Sequence, residues 1–379
     1  MPLAAGWLPP AFNQGWTYRD RPGPDHLSGS GPLSGPGEAM GTSVARYYAD
    51  RYGHSDLAVW LGRIAAGEVQ CNGRRLLADA PLGAADRLAW HRPPWQEAAV
   101  PDLPGPLFDD GDLHVINKPS GLPVLPAGGW LEHTVLRLLE RRHHGDPAGV
   151  PRPVHRLGRF TSGLLVCARQ PRTRAWLSAR LRESTEAGQV QAPMAAGEGC
   201  RKLYRALVLP GVLALQPGES RLIEVPIGRR AHPQLGQLWC AADGSAPGDR
   251  SARSSLTLLE RGSQADLVQV AIASGRPHQI RIHCAALGAP LLGDPLYAPG
   301  GLAIPGALPG DGGYHLQAWR LELDLPGGRR LDLEAPQALE LAKGASGGWG
   351  KPLVHHDWTS IPPAGMDDWR DGCPIPSGH

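Results

Sequence analysis

The stretch RPVHRLGRFTSGLLVCAR, residues 152–169, limits the fold more than any other part of the chain. Leu164 to Ala168 is an apolar run with no polar break, opened by Thr161-Ser162-Gly163. A run this short, entered through a polar turn, predicts a strand buried within a sheet. His155 and Arg156 stand just before it, so the stretch looks like a site built on a strand. Yet it contains no carboxylate.

With 379 residues, 41% of them hydrophobic and 20% charged, the chain can bury a sizeable core and is long enough for two domains. Gly (50) and Pro (39) are abundant enough to imply many turns. The net charge of +2 says little about partners, but its distribution says more. Arg137 to Arg182 holds eleven Arg against Glu140 and Asp146. Such a run fits a solvated face or a phosphate-binding surface. The six Cys form no CxxC pair, which argues against a zinc site, and Cys167 and Cys284 read as small buried hydrophobes. The N-terminal MPLAAGWLPP lacks the pattern of a signal peptide, and no segment has the roughly 18 apolar residues of a membrane span. A cytoplasmic protein is the expectation.

Four segments are expected. Residues 1–40, rich in Gly, Pro and Ser, read as flexible. Residues 41–97 read as a small module. LAVWLGRIAAG has helical spacing and a C-terminal cap at Gly67, VQCNGRRL is a hairpin turning at Asn72-Gly73, and DRLAW is a strand. Pro-rich 95–106 reads as a linker, and 98–343 as a large domain of strands and helices interrupted by loops at 182–199 and 298–313. The tail, 344–379, shows no period.

Four ordered motifs lie in the large domain: LHVINKPSGLPVLP (113–126), VHRLGRFTSGLLVCAR (154–169), KLYRALV (202–208) and SGRPHQIRIHCAALGAPLLGDPLY (274–297). Together, over roughly residues 107–335, they resemble the RluA-type RNA pseudouridine synthases. The small module is similar to the alpha-L RNA-binding motif. The resemblance implies an α+β fold, with a mixed, mainly antiparallel sheet carrying a central cleft beside the small N-terminal α/β module. It also implies isomerisation of uridine in structured RNA by base flipping, without cofactor or metal. Ribosomal or transfer RNA is the implied partner, with no membrane, and a monomer is the default. Tyr204 matches the family's base-stacking Tyr, and Arg281 matches the Arg that pairs with an essential Asp.

Where the family has that Asp, this chain has Gly158. Glycine cannot attack, accept a proton or carry charge. Arg281 is therefore expected to lack its carboxylate, a costly state for a buried guanidinium. Asp294 reads as structural and already engaged, whereas Asp146, Glu183 and Glu198 lie in or beside loops from which a substitute acid could come. Two readings follow. One is a synthase with a rearranged catalytic group. The other is a non-catalytic RNA-binding protein, a folding or assembly factor that keeps the cleft. A hydrolase using Ser162 or Cys167 has little support.

Arg156, Arg159 and Arg276 are suited to RNA phosphate, and Asn117-Lys118 to phosphate or to capping their turn. His278 and His283 read as hydrogen-bonded core residues rather than metal ligands.

Overall fold

The computed structural model describes residues 6–23, 42–52, 55–183, 199–233, 235–272, 275–308 and 312–336. The C-terminal tail, Glu198 and most of the 182–199 loop lie outside the described residues, as does the Glu183 side chain.

The apolar run does form a strand, β12 (Thr161–Ala168), buried over most of its length. It lies inside a ten-stranded mixed sheet. On one side it pairs antiparallel with β10 (Leu113–Lys118), which pairs with β9 (Pro106–Asp109). On the other side it pairs in parallel with β19 (Leu316–Asp324), Thr161 opposite Leu316 and Gly163 opposite Ala318. Beyond β19 come β13 (Cys200–Val208), β18 (Asp266–Ile272), β17 (Ser254–Glu260) and β14 (Ser220–Ile223), all antiparallel. The fold class is thus α+β with a mixed, mainly antiparallel sheet. Parallel pairing occurs at the centre because β19 enters between two older neighbours rather than returning through a hairpin.

Helices cover both faces. α4 (Pro171–Glu183) seats Leu177 and Leu181 on Val115, Leu164, Val166 and Leu323. On the opposite face, α3 (Val135–Arg142) packs Val135 and Leu139 against Ile116, Leu165 and Cys167. There too, α5 (Gln279–Ala286) places Ile280 and Cys284 over Ala206, Val208, Val268 and Val270. This face therefore carries two apolar clusters side by side, and Tyr204 on β13 is packed against both.

The small module has the predicted order. α2 (Leu57–Ala65) ends before Gly67 (φ 71°), and the hairpin of β4 (Val69–Cys71) and β5 (Arg74–Arg75) turns at Asn72 and Gly73, both with positive φ. β6 (Leu88–Arg92) then pairs with β4. The flexible reading of residues 1–40 is corrected for residues 7–20. β3 (Trp16–Asp20) joins the sheet beside β6, with Tyr18 stacked on Trp90 at 5.1 Å. Two-residue strands at 7–8 and 11–12 pair with 100–101 and 96–97. Such short strands exist through their distant partners, so no local period announces them.

The linker reading of 95–106 is corrected too. Glu97 is 1% exposed. Its carboxylate accepts from Asn13 Nδ2 (2.7 Å) and from the backbone N–H groups of Leu131, Glu132 and His133 (2.8–3.1 Å). A carboxylate held by four donors fixes this segment against the large domain.

Candidate active site

The turn before β12 is closed by Thr161 N–H donating to the Gly158 carbonyl at 3.0 Å. It is stitched to the Pro119–Leu122 turn after β10. Gly121 N–H donates to the Arg159 carbonyl (2.9 Å) and Ser120 Oγ to the Phe160 carbonyl (2.9 Å). Lys118 lies beneath, 0% exposed, and donates to the carbonyls of Pro119 (2.8 Å), Leu122 (2.8 Å) and Arg159 (3.0 Å). The phosphate role expected of Lys118 is therefore corrected: its three hydrogens are spent on backbone, where they hold the two turns together. Burial, with the Arg159 charge nearby, pushes its pKa well down. Asn117 is half-buried on the same strand, opposite Leu164.

His155 accepts the Val166 N–H on Nε2 at 3.0 Å. Burial, with a smaller contribution from Lys202, pushes its pKa down to about 3. The ring is neutral, with its hydrogen on Nδ1, and braces the turn against the strand. Ser162 Oγ reaches only the Leu316 carbonyl, at 3.4 Å, so a Ser162–His155 nucleophile pair is not built here.

α5 brings the second half of the site. His278 at its N-cap has φ 56°, the left-handed region. This costs a residue with a Cβ and is held by the hydrogen bond between His278 Nδ1 and Tyr297 Oη at 2.7 Å. Burial pushes the His278 pKa well down, and the charges of Arg281 and Arg156 push the same way, so the turn before β12 and the start of α5 are electrostatic neighbours. His283 reads as expected, bonded to Ser254 Oγ and the Val225 carbonyl (2.9 and 3.0 Å). Among the described residues no group of three His, Cys, Asp or Glu could hold a metal.

The expectation that Arg281 lacks a carboxylate is corrected. Its Nε and Nη2 donate to the two oxygens of Asp294, each at 2.7 Å, with side chains 3% and 0% exposed. Burial alone would lower the Arg281 pKa, but the Asp294 bonds and the rings of Tyr314 and Tyr297 raise it above its ordinary value. The guanidinium carbon lies 4.3 Å from the Tyr314 ring centre. Tyr314, 5% exposed, in turn meets the first half of the site. Its hydroxyl is 3.4 Å from Thr161 Oγ1, and a Cβ placed on Gly158 would lie 2.3 Å from it. Gly158, Tyr314, Arg281 and Asp294 thus form one continuous contact, and Phe160 packs edge-on to Tyr314 at 5.9 Å. Sequence reasoning missed Tyr314. Its one visible signal was a lone aromatic directly after Gly312-Gly313 at the end of a loop.

Among the other candidates, Arg156 is exposed and Arg159 is half-buried between the rings of Trp130 (4.5 Å) and Phe160 (4.8 Å). Desolvation lowers the Arg159 pKa to about 10. Arg276 donates to the Ser251 carbonyl at 3.3 Å. The arginine run is largely structural. Arg137 pairs with Glu140, Arg141 with Glu132, Arg152 with Glu140 and Arg169 with Asp109, while Arg142 and Arg174 donate to backbone carbonyls. Asp146 is engaged by His143 at 3.0 Å and by Ala148 N–H in its own turn.

Comparison with known proteins points to one family. A family model described as RNA pseudouridylate synthase matches residues 112–286. An uncharacterized RNA pseudouridine synthase of Synechocystis sp. is 39% identical over 298 residues, covering 78% of this chain and 94% of that protein. RNA pseudouridine synthase 5 of Arabidopsis thaliana is 35% identical over 351 residues, covering 83% and 90%. Among solved structures, human RNA Pseudouridylate Synthase Domain Containing 1 aligns with a TM-score of 0.44 at 22% identity, covering 62% of this chain and 83% of that one.

Proposed function

The chain belongs to the RNA pseudouridine synthases, and from that premise we propose that it isomerises uridine in structured RNA at the junction of the two apolar clusters, around Gly158, Tyr204 and Arg281. The observation that carries the reading is the built contact from Gly158 through Tyr314 to the buried Arg281–Asp294 pair. A buried ion pair is weak support for stability. Here it holds a buried cation against Tyr314, whose hydroxyl meets Thr161 at the turn before β12. Tyr204, half-buried between the clusters, offers a ring face to a flipped base. Arg156 at the rim is suited to the flanking phosphates of ribosomal or transfer RNA, and the small N-terminal module to a neighbouring helix of the same RNA.

In this reaction the bond from ribose C1′ to N1 breaks, the bond to C5 forms, and the C5 hydrogen leaves as a proton. Tritium release therefore tests the reading directly. Purified protein is mixed with unmodified ribosomal and transfer RNA transcripts labelled with tritium at uridine C5. Release above a heat-inactivated control is expected. Tight RNA binding with no release would instead favour the second reading, an RNA folding or assembly factor, which the side-chain-free Gly158 keeps in view.

A further inference from the structure

We propose that the Tyr314 hydroxyl is the acid–base group of this site, standing in the space that a side chain at position 158 would occupy. The inference rests on the isomerase reading and adds to it the residue that moves the proton. Atoms nearest to a Cβ built on Gly158 are Tyr314 Oη at 2.3 Å, Thr161 Oγ1 at 3.2 Å and Tyr314 Cζ at 3.6 Å. The hydroxyl thus sits against an exposed glycine that has no atoms of its own to cover it.

Three other acid–base groups around the turn are committed elsewhere. His155 Nε2 holds the Val166 N–H, and His278 Nδ1 holds Tyr297. Asp294 spends Oδ2 on Arg281 Nε and Oδ1 on both Arg281 Nη2 and Leu296 N–H. Tyr314 makes one long contact, 3.4 Å to Thr161 Oγ1, and its ring face is occupied by the Arg281 guanidinium at 4.3 Å. A phenol so placed has a cation against its ring and a hydroxyl as neighbour.

The step assigned to it balances without a co-reactant. Tyr314 Oη, its own proton passed to water, takes the proton from ribose C2′. The electron pair of that C–H bond forms C1′=C2′ as the C1′–N1 bond breaks, and its pair leaves on the uracil ring. After the ring turns, Tyr314 returns the proton to C2′, and C5 bonds C1′ with the uracil pair. C5 then loses its proton to water while N1 gains one.

Three full-length variants test this on the labelled transcripts, each with its thermal midpoint and RNA Kd measured alongside. Tyr314→Phe is expected to lower the single-turnover rate of tritium release at least about 100-fold, the usual scale of general acid–base catalysis, with Kd within about twofold. Gly158→Asp alone should be poorly accommodated, because its Cβ meets the hydroxyl. The double variant Gly158→Asp/Tyr314→Phe removes that oxygen and places a carboxylate in the vacated space, so release should recover at least about tenfold over Tyr314→Phe. Release by folded Tyr314→Phe at the natural rate would overturn the proposal while leaving the isomerase reading intact. No release from the natural protein would overturn both. Should Tyr314→Phe fail to fold, the double variant decides: release at about a tenth of the natural rate or more with a normal melt supports the exchange of hydroxyl for carboxylate, and a folded but silent double variant overturns it.

Discussion

Arg281 and Asp294, thirteen positions apart, close a two-bond fork at 2.7 Å and 2.7 Å with almost no solvent contact. Asp294 also caps its own turn through the Leu296 N–H at 2.9 Å. One carboxylate therefore neutralises the cation beside Tyr314 and fixes the Gly293-Asp294-Pro295 turn.

Removing that carboxylate leaves an uncompensated buried guanidinium. Asp294→Asn is expected to destabilise the protein by about 3–5 kcal/mol, read from urea unfolding at neutral pH. A loss under about 1 kcal/mol would mean that solvent reaches Arg281.

Gly163 is where the parallel pair meets most closely. Its φ is 101°, and a Cβ there would lie 2.2 Å from the Ala318 carbonyl oxygen. Gly163→Ala should cost about 2–5 kcal/mol through strain and separation of β12 from β19. Differential scanning calorimetry checks this, and an unchanged melting temperature would refute the close approach.

Acid should destabilise the fold before the carboxylates titrate. Burial pushes His155 down to about 3 and His283 to about 4, against an ordinary value of about 6.5. Below that ordinary value the unfolded chain binds protons that the folded chain refuses. Stability is therefore full above about pH 6.5 and falls toward the folded values, with a slope approaching about 1.4 kcal/mol per pH unit for each ring. Denaturant melts between pH 7 and pH 5 should show this slope, and His283→Gln should make it shallower.

Arg169 separates fold from RNA contact. It is bidentate to Asp109 at 2.8 and 2.9 Å, and Asp109 also holds His114 at 2.8 Å. Arg169→Ala should lower the melting temperature while leaving the salt slope of RNA binding unchanged, whereas Arg156→Ala should reduce that slope by about one. Filter binding across a salt series distinguishes the two arginines.

Tyr204→Ala should slow single-turnover isomerisation by about 5- to 150-fold, the equivalent of about 1–3 kcal/mol of base stacking, with overall RNA affinity within about twofold. Equal losses in rate and affinity would move Tyr204 out of the base site.

The central elements were legible because their signals are local. The polar turn and apolar run gave β12, and Asn72-Gly73 gave its hairpin. Gly158 was visible as a departure from pattern. Its consequence was not, because 153 positions separate Thr161 from the Tyr314 hydroxyl it meets. The Arg281 partner was misjudged for a similar reason: a motif identifies a residue but not which acid turns toward it. Strands of two to five residues at 7–20, and the buried Glu97 that fastens Asn13, exist through partners tens of positions away. The arginine run misled because charge counted along the chain ignores the carboxylates and carbonyls that the fold brings to it.

The placement of β19 also dictates when the site comes into being. It is the sole strand joining β12 to β13 among the described residues, yet it is drawn from near residue 320. During synthesis, a nascent chain that has emerged as far as residue 308 already carries Gly158, Tyr204 and Arg281, but the two half-sheets have no seam between them. Tyr314 and the seam arrive together, in eleven consecutive residues. Assembly of the proposed reaction centre and closure of the fold are thus a single late event of high contact order.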